Sequence, residues 1–245
     1  MKTTKIALSA FCGLMLFGCI PDDATINNGW MLGFGSETGI DATGADGPGI
    51  LVFGDSLVQN LDQNALAQRV RAASGLKTVT FGAGGASLAH YSKPRLLDNV
   101  NLPSVAEGTA FYRQRITVLA LGSNDVRILE AEQNIGGGYR IADFNWAMDS
   151  TIDSALATSS CVFITNVAGN VQPVYVDDVQ AVNQAIAAKI ASRTNVYLID
   201  WNGHSAGHLE WFNGVGDVHH SVAGQAAYMD FIANNIAWQM VFSGC

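Results

Sequence analysis

Gly49-Ile50-Leu51-Val52-Phe53-Gly54-Asp55-Ser56-Leu57 decides how the chain is read. An apolar run of strand length stops at Gly54 and passes through an acid and a hydroxyl; Leu57, Leu61, Ala65, Leu66 and Val70 then follow at helical spacing. The pattern predicts a strand, a tight turn and a helix, with Ser56 held at the turn. A serine between the carboxyl end of a parallel strand and the amino end of a helix has unpaired backbone N–H groups beside its hydroxyl. Negative charge growing on an attacked carbonyl oxygen is stabilised in such a place. Gly-Asp-Ser alone is equally an ordinary turn followed by a helix cap, so its partners elsewhere in the chain must decide.

Downstream the alternation repeats. Further apolar runs predict strands over residues 49–53, 78–81, 116–121, 162–166 and 196–199, of the kind buried on both faces of a parallel sheet. Val179, Val182, Ile186 and Ile190, and later Met229, Ile232, Ala233, Ile236 and Met240, recur at helical spacing and read as core. The expected fold is α/β, a three-layer α/β/α sandwich around a five-stranded parallel sheet, over residues 48–245. Its functional groups should collect at the carboxyl ends of the strands.

Upstream, Lys2 and Lys5 precede an apolar stretch that ends in Leu16-Phe17-Gly18-Cys19. The stretch is too short for a stable membrane span and reads as an export signal. Leu-x-Gly-Cys resembles a bacterial lipobox, although Phe17 is bulkier than that position usually carries. Residues 1–19 are therefore expected to be a lipoprotein-type signal with Cys19 as the lipidated residue, and residues 20–47 a Gly-, Asp- and Asn-rich tether. Gly33-Phe34-Gly35-Ser36-Glu37-Thr38-Gly39 follows no strand and lacks the Lys-Ser/Thr ending of a phosphate loop. The expected location is the bacterial cell envelope or the exterior. Cys161 and Cys245 can pair in such an oxidising compartment, the alternative being two buried thiols.

With 13 basic against 21 acidic side chains, a net charge of −8 and no Lys/Arg cluster, the chain lacks a footprint for nucleic acid or anionic lipid. Membrane contact is expected only through the lipid anchor, and the domain is expected to be a monomer. His204 and His208 lie four apart, but Gly203, Ser205 and Gly207 make that segment read as a loop, and no metal is expected. Trp201, Trp211 and Phe212 beside it suit stacking on a sugar, an acyl pocket or simple filling of the domain edge.

Three more strand ends carry polar groups. Phe81-Gly82-Ala83-Gly84-Gly85-Ala86-Ser87 lets backbone N–H groups approach a ligand, and no third glycine makes it a dinucleotide loop. Leu121-Gly122-Ser123-Asn124-Asp125 offers a neutral amide donor from Asn124. Gly216-Asp217-Val218-His219-His220-Ser221 supplies an acid and a base before the last helix. A nucleotide binder of flavodoxin type would need a phosphate loop after the first strand, where Asp55 has the wrong charge.

Taken in order, these four blocks resemble the SGNH (GDSL-type) hydrolase family over essentially the whole domain. The resemblance implies a flavodoxin-like SGNH hydrolase fold and a cofactor-free serine esterase or lipase-type hydrolase. Ser56 would be the nucleophile, with the N–H groups of Ser56 and Gly85 and the Asn124 amide as the oxyanion hole. The family places its acid three residues before the histidine, which selects Asp217 with His220. It also places the histidine two before a helix cap and five before a glycine, and Ser221 and Gly224 then select His219. We favour His219 as base, with His220 as alternative; Asp217 is then one residue closer than usual, and a backbone carbonyl is the competing partner. The second-block asparagine of the family is replaced by Phe81 or Gly82. The expected substrate is a short-chain or acetyl ester, small or glycan-linked. The alternatives are an O-acetyltransferase or deacetylase acting on envelope polysaccharide, and a non-catalytic ligand-binding lipoprotein.

Overall fold

Strands that alternate outward on both faces without a polar interruption can be stable only between two layers of helices, and this is how the apolar runs are used. The structure, a computed structural model, describes residues 49–88, 114–135, 139–169 and 175–245. The expected signal and tether, with Cys19, and the glycine run Gly136-Gly137-Gly138 lie outside the described residues.

In chain order the elements are β1 (Gly49–Gly54), α1 (Ser56–Gln59), α2 (Gln63–Ser74), β2 (Thr78–Gly82), β3 (Gln114–Ala120), α3 (Ser123–Ile135) and α4 (Ile141–Leu156). There follow β4 (Cys161–Thr165), α5 (Val176–Ala191), β5 (Val196–Ile199), α6 (Trp201–Ser205), a 3₁₀ turn (Leu209–Trp211), β6 (Phe212–Gly214), β7 (Asp217–His220) and α7 (Val222–Ser243). The five long strands form one parallel sheet in the order β2-β1-β3-β4-β5. Odd and even positions of β1 divide the core. Ile50 and Val52 join Leu66, Val70, Ile232 and Ile236 from α2 and α7 on one face. Leu51 and Phe53 join Val126, Phe144, Ile152, Val182 and Ile186 from α3, α4 and α5 on the other. The three-layer sandwich read from the sequence is therefore the fold. Connections leave β1 and β3 in opposite directions, which opens a crevice at their carboxyl ends. Ser56 follows the first of these strands directly, and α3, which carries Asn124, follows the second.

Two stretches differ from the sequence reading. The helical spacing from Leu57 to Val70 is split at Asn60-Leu61-Asp62, because the Asp62 carboxylate accepts the Ala65 N–H (3.0 Å) and starts a new helix. Leu57, Val58, Leu61, Leu66 and Val70 all remain buried, so the periodicity reported the buried face and missed the break. The segment after β5, read as a polar loop, begins as helix α6. Asp200 caps it by accepting the Gly203 N–H (2.9 Å), and Trp201 anchors it with 1% exposure.

Cys161 and Cys245 form a disulfide, with Cα atoms 6.0 Å apart. It ties the end of the chain after α7 to the start of β4, at the amino end of the strands, opposite the site. Because it links residues 84 apart in the sequence, reduction or Cys161→Ser should lower unfolding free energy by about 2–4 kcal/mol. Urea titration with and without reductant, on otherwise identical protein, measures this directly.

Candidate active site

Ser56 is the first residue of α1 and half-buried. Its hydroxyl lies between two constraints. From behind, Asp55 accepts the Leu57 N–H (2.8 Å) and so fixes the turn that presents the serine. From in front, Ser56 Oγ lies 3.0 Å from His219 Nε2. The N–H of Ser56, at the amino end of a helix, has no partner within that helix.

His219 owes its position to a strand the sequence reading did not anticipate. β6 and β7 form a two-stranded antiparallel sheet in which Phe212 pairs with His220 and Gly214 with Asp217. Alternate residues of a strand project to the same face. Asp217 and His219 therefore stand side by side, and Asp217 Oδ1 lies 2.7 Å from His219 Nδ1 while accepting the His219 backbone N–H (2.9 Å). Burial works against the Asp217 charge, but these two bonds and one from Asn213 hold its carboxyl below the usual range. An ionised carboxylate only accepts, so Nδ1 carries the proton and Nε2 is left to accept from Ser56.

The same pleat turns His220 the opposite way. It is 5% exposed and packs edge-on against Trp201 and beside Tyr228 and Phe212. Burial, with a smaller contribution from His219, pushes its imidazole down to about 4, so it is neutral at ordinary pH. Of the two histidines the sequence left as candidates, only His219 meets Ser56.

The hairpin is held onto α7 by backbone contact. Ser221 caps that helix through Gly224 N (3.2 Å), donates its N–H to Trp211 O (2.9 Å) and its hydroxyl to Glu210 O (2.7 Å). A Cβ on Gly224 would stand 1.7 Å from Trp211 O, so only glycine allows this approach.

At the crevice, Gly85 has φ +76, a left-handed backbone that aims its N–H where few other residues would. Asn124, in the first turn of α3, donates one amide N–H to Ala86 O (2.9 Å) and is thereby fixed beside Gly85. Phe81, one of the two candidates for the family's asparagine position, is fully buried and stacked on Phe53 at 5.3 Å, so it serves the core.

The aromatic side chains of the late segment do not form a platform. Trp201 and Phe212 are buried, and Trp211 is stacked against Trp201 (5.6 Å) and against the His208 ring (3.9 Å). His204 lies on α6 rather than in a loop and stacks on Phe231 (3.9 Å), while His208 pairs with Glu210 (2.7 Å). Among the described residues no group of three or more His, Cys, Asp or Glu could hold a metal.

The model of the GDSL-like lipase/acylhydrolase family matches residues 52–227, most of the chain. The chain belongs to that family. Solved structures share the fold at low identity. The C-terminal catalytic domain of peptidoglycan O-acetyltransferase A from Streptococcus pneumoniae is 13% identical over 81% of this chain and 95% of that one, with a TM-score of 0.55. A carbohydrate esterase of family 3 from Talaromyces cellulolyticus is 15% identical over 79% and 96%, with a TM-score of 0.57. A variant of an acetyl-xylooligosaccharide esterase from Geobacillus stearmophilus is 16% identical over 79% and 94%, with a TM-score of 0.55. A search of curated protein sequences finds no match.

Two acids behind the family motifs escaped the sequence reading. Asp125 follows Asn124 directly and is fully buried, accepting from Leu88 N (3.0 Å) and Tyr139 Oη (2.9 Å). Asp55, also fully buried, has its carboxyl pushed up to about 7, first by burial and further by Asp125, against the opposing bond from Leu57. Only their positions inside the Gly-Asp-Ser and Asn-Asp pairs marked them.

Asp55 and His220 give stability opposite dependences on pH. His220, lowered from 6.5 to about 4, lets the unfolded chain bind the extra proton, so its contribution is present above 6.5 and lost as pH falls toward 4. Asp55, raised from 3.8 to about 7, binds its proton more tightly when folded, so its contribution is full below 3.8 and lost as pH rises toward 7. Each is worth on the order of 3–4 kcal/mol across its window. The two nearly cancel in wild type. His220→Phe should leave stability falling as pH rises from about 4 to about 7, and Asp55→Asn should leave it rising. Urea unfolding across that range would show the two slopes with opposite sign.

Proposed function

We propose that the protein is a serine esterase that cleaves short-chain or acetyl esters through an acyl-serine intermediate. The observation that carries the reading is the relay of Ser56, His219 and Asp217, joined by bonds of 3.0 and 2.7 Å. His219 Nε2 takes the proton of Ser56 as Oγ attacks the ester carbonyl, and Asp217 stabilises the imidazolium that forms. The N–H groups of Ser56 and Gly85, with the Asn124 amide, receive the oxyanion. His219 then gives its proton to the leaving alcohol, and a water activated by the same nitrogen releases the acyl group. No step calls for a cofactor.

Support for a small acyl group comes from the structural neighbours, which include an acetyl-xylooligosaccharide esterase and a peptidoglycan O-acetyltransferase. The Cys161–Cys245 disulfide supports an oxidising compartment, and with Leu16-Phe17-Gly18-Cys19 it supports a lipid-anchored or secreted protein of the bacterial envelope. Mass spectrometry of membrane-extracted protein should find lipid on the Cys19 peptide, and Cys19→Ala should abolish it.

Hydrolysis of p-nitrophenyl acetate, butyrate and octanoate tests the activity. Ser56→Ala and His219→Ala should each lower kcat by at least about 10³-fold. Asn124→Ala should lower it by about 10²–10³-fold, and a carefully folded His220→Ala should retain it. Loss in His220→Ala with retention in His219→Ala would reject the assignment of the base. Acetate appearing on an added glycan rather than in solution would make the protein a transferase with the same first step.

A further inference from the structure

Asn124 and Asp125 stand in the first turn of α3, and each holds the Gly82 to Leu88 segment at a different point. The Asn124 amide holds the Ala86 carbonyl (2.9 Å), and Asp125 Oδ2 holds the Leu88 N–H (3.0 Å). Gly85, with its left-handed backbone, lies just before these two anchors. Asp125 is fully buried, and a carboxylate in that position must be supplied with donors. One comes from the segment between α3 and α4: the Tyr139 hydroxyl donates to Asp125 Oδ1 at 2.9 Å. The Tyr139 ring packs against the core on the α3, α4 and α5 side of the sheet, and burial together with Asp125 keeps its phenol protonated. A donor with a defined direction therefore meets one carboxylate oxygen, while the other oxygen meets the backbone of the oxyanion segment.

From this juxtaposition we infer that Tyr139 is a positioning residue for the oxyanion hole, acting through Asp125 on the Gly85 segment. The inference rests on the proposed esterase activity. Tyr139 touches no reacting atom. It orients the carboxylate, the carboxylate fixes Leu88, and Leu88 with Ala86 fixes the direction of the Gly85 N–H. Because the oxyanion interaction is made in the transition state and not with bound ester, loosening this clamp should act on kcat rather than on KM.

Tyr139→Phe keeps the ring in the core and removes only the donor. It should lower kcat for p-nitrophenyl acetate by about 10- to 100-fold and leave KM within about twofold. Labelling of Ser56 by a fluorophosphonate should slow in proportion, since phosphonylation uses the same hole. Amide exchange at Leu88, read by NMR or on the 82–88 peptide, should quicken by about tenfold or more. Asp125→Asn leaves one oxygen for two donors and should be at least as slow. The double variant should be no slower than Asp125→Asn alone, because the two act in series. Faster exchange at Leu88 with wild-type kcat would reduce Tyr139 to a structural role and overturn the inference. So would unchanged exchange at Leu88, a result readable whether or not the protein hydrolyses esters; an inactive, unlabelled wild type would instead defeat the esterase reading itself.

Discussion

The hydrogen bond between Ser56 and His219 joins residues 163 apart in the chain. A bond of this kind contributes about 1 kcal/mol net, less than the entropy of closing so long a loop. The bond cannot gather the site; the scaffold must bring the two ends together first. One end is set by β1, whose fully buried residues run into the Asp55 turn. The other is set by α7, which packs on α2 in the same layer and carries the hairpin through the contacts of Ser221 and Gly224 with the chain at Glu210 and Trp211. The Cys161–Cys245 disulfide holds the far end of that helix to the sheet. The site is thus the meeting point of two elements that the same apolar layer already aligns.

Electrostatics at the site follow from which groups the scaffold buries. Asp217 is partly exposed and bonded three ways, so it stays ionised and fixes the tautomer of His219. Asp55 and Asp125 stand next to Ser56 and Asn124, without exposure, and each takes a backbone N–H of the segment it supports. Carboxylates that reach no substrate thus serve as internal caps. Burial is what chiefly pushes Asp55 up, and the neighbouring charge of Asp125 adds to it. His220 makes the same point with the opposite sign: next to His219 in sequence, it is neutral because the pleat turns it into the core.

How much of this was legible depends on the length scale of the signal. Each of the five sheet strands is an apolar run long enough to be recognised by itself, and the helices α5 and α7 have clear periodicity. Ser56, Gly85 and Asn124 were legible because each stands where a strand ends, a local event. β6 and β7 were not, because strands of three and four residues with glycines and polar side chains carry no periodicity of their own. The division at Asp62 was missed for a related reason: a buried face can continue across a break that a single side-chain cap creates.

By itself the sequence determined the α/β class, the order of the strands along the chain and the polar groups at their ends, because burial of apolar runs and turn chemistry act over a few residues. Only the tertiary structure decided which histidine faces Ser56, because that depends on the pleat of a strand that exists only when paired and docked on α7. It alone decided that Trp211 stacks on Trp201 and His208 and that Tyr139 reaches Asp125. Such contacts join residues whose separation along the chain carries no information about their distance in space, and the packing of whole layers sets them.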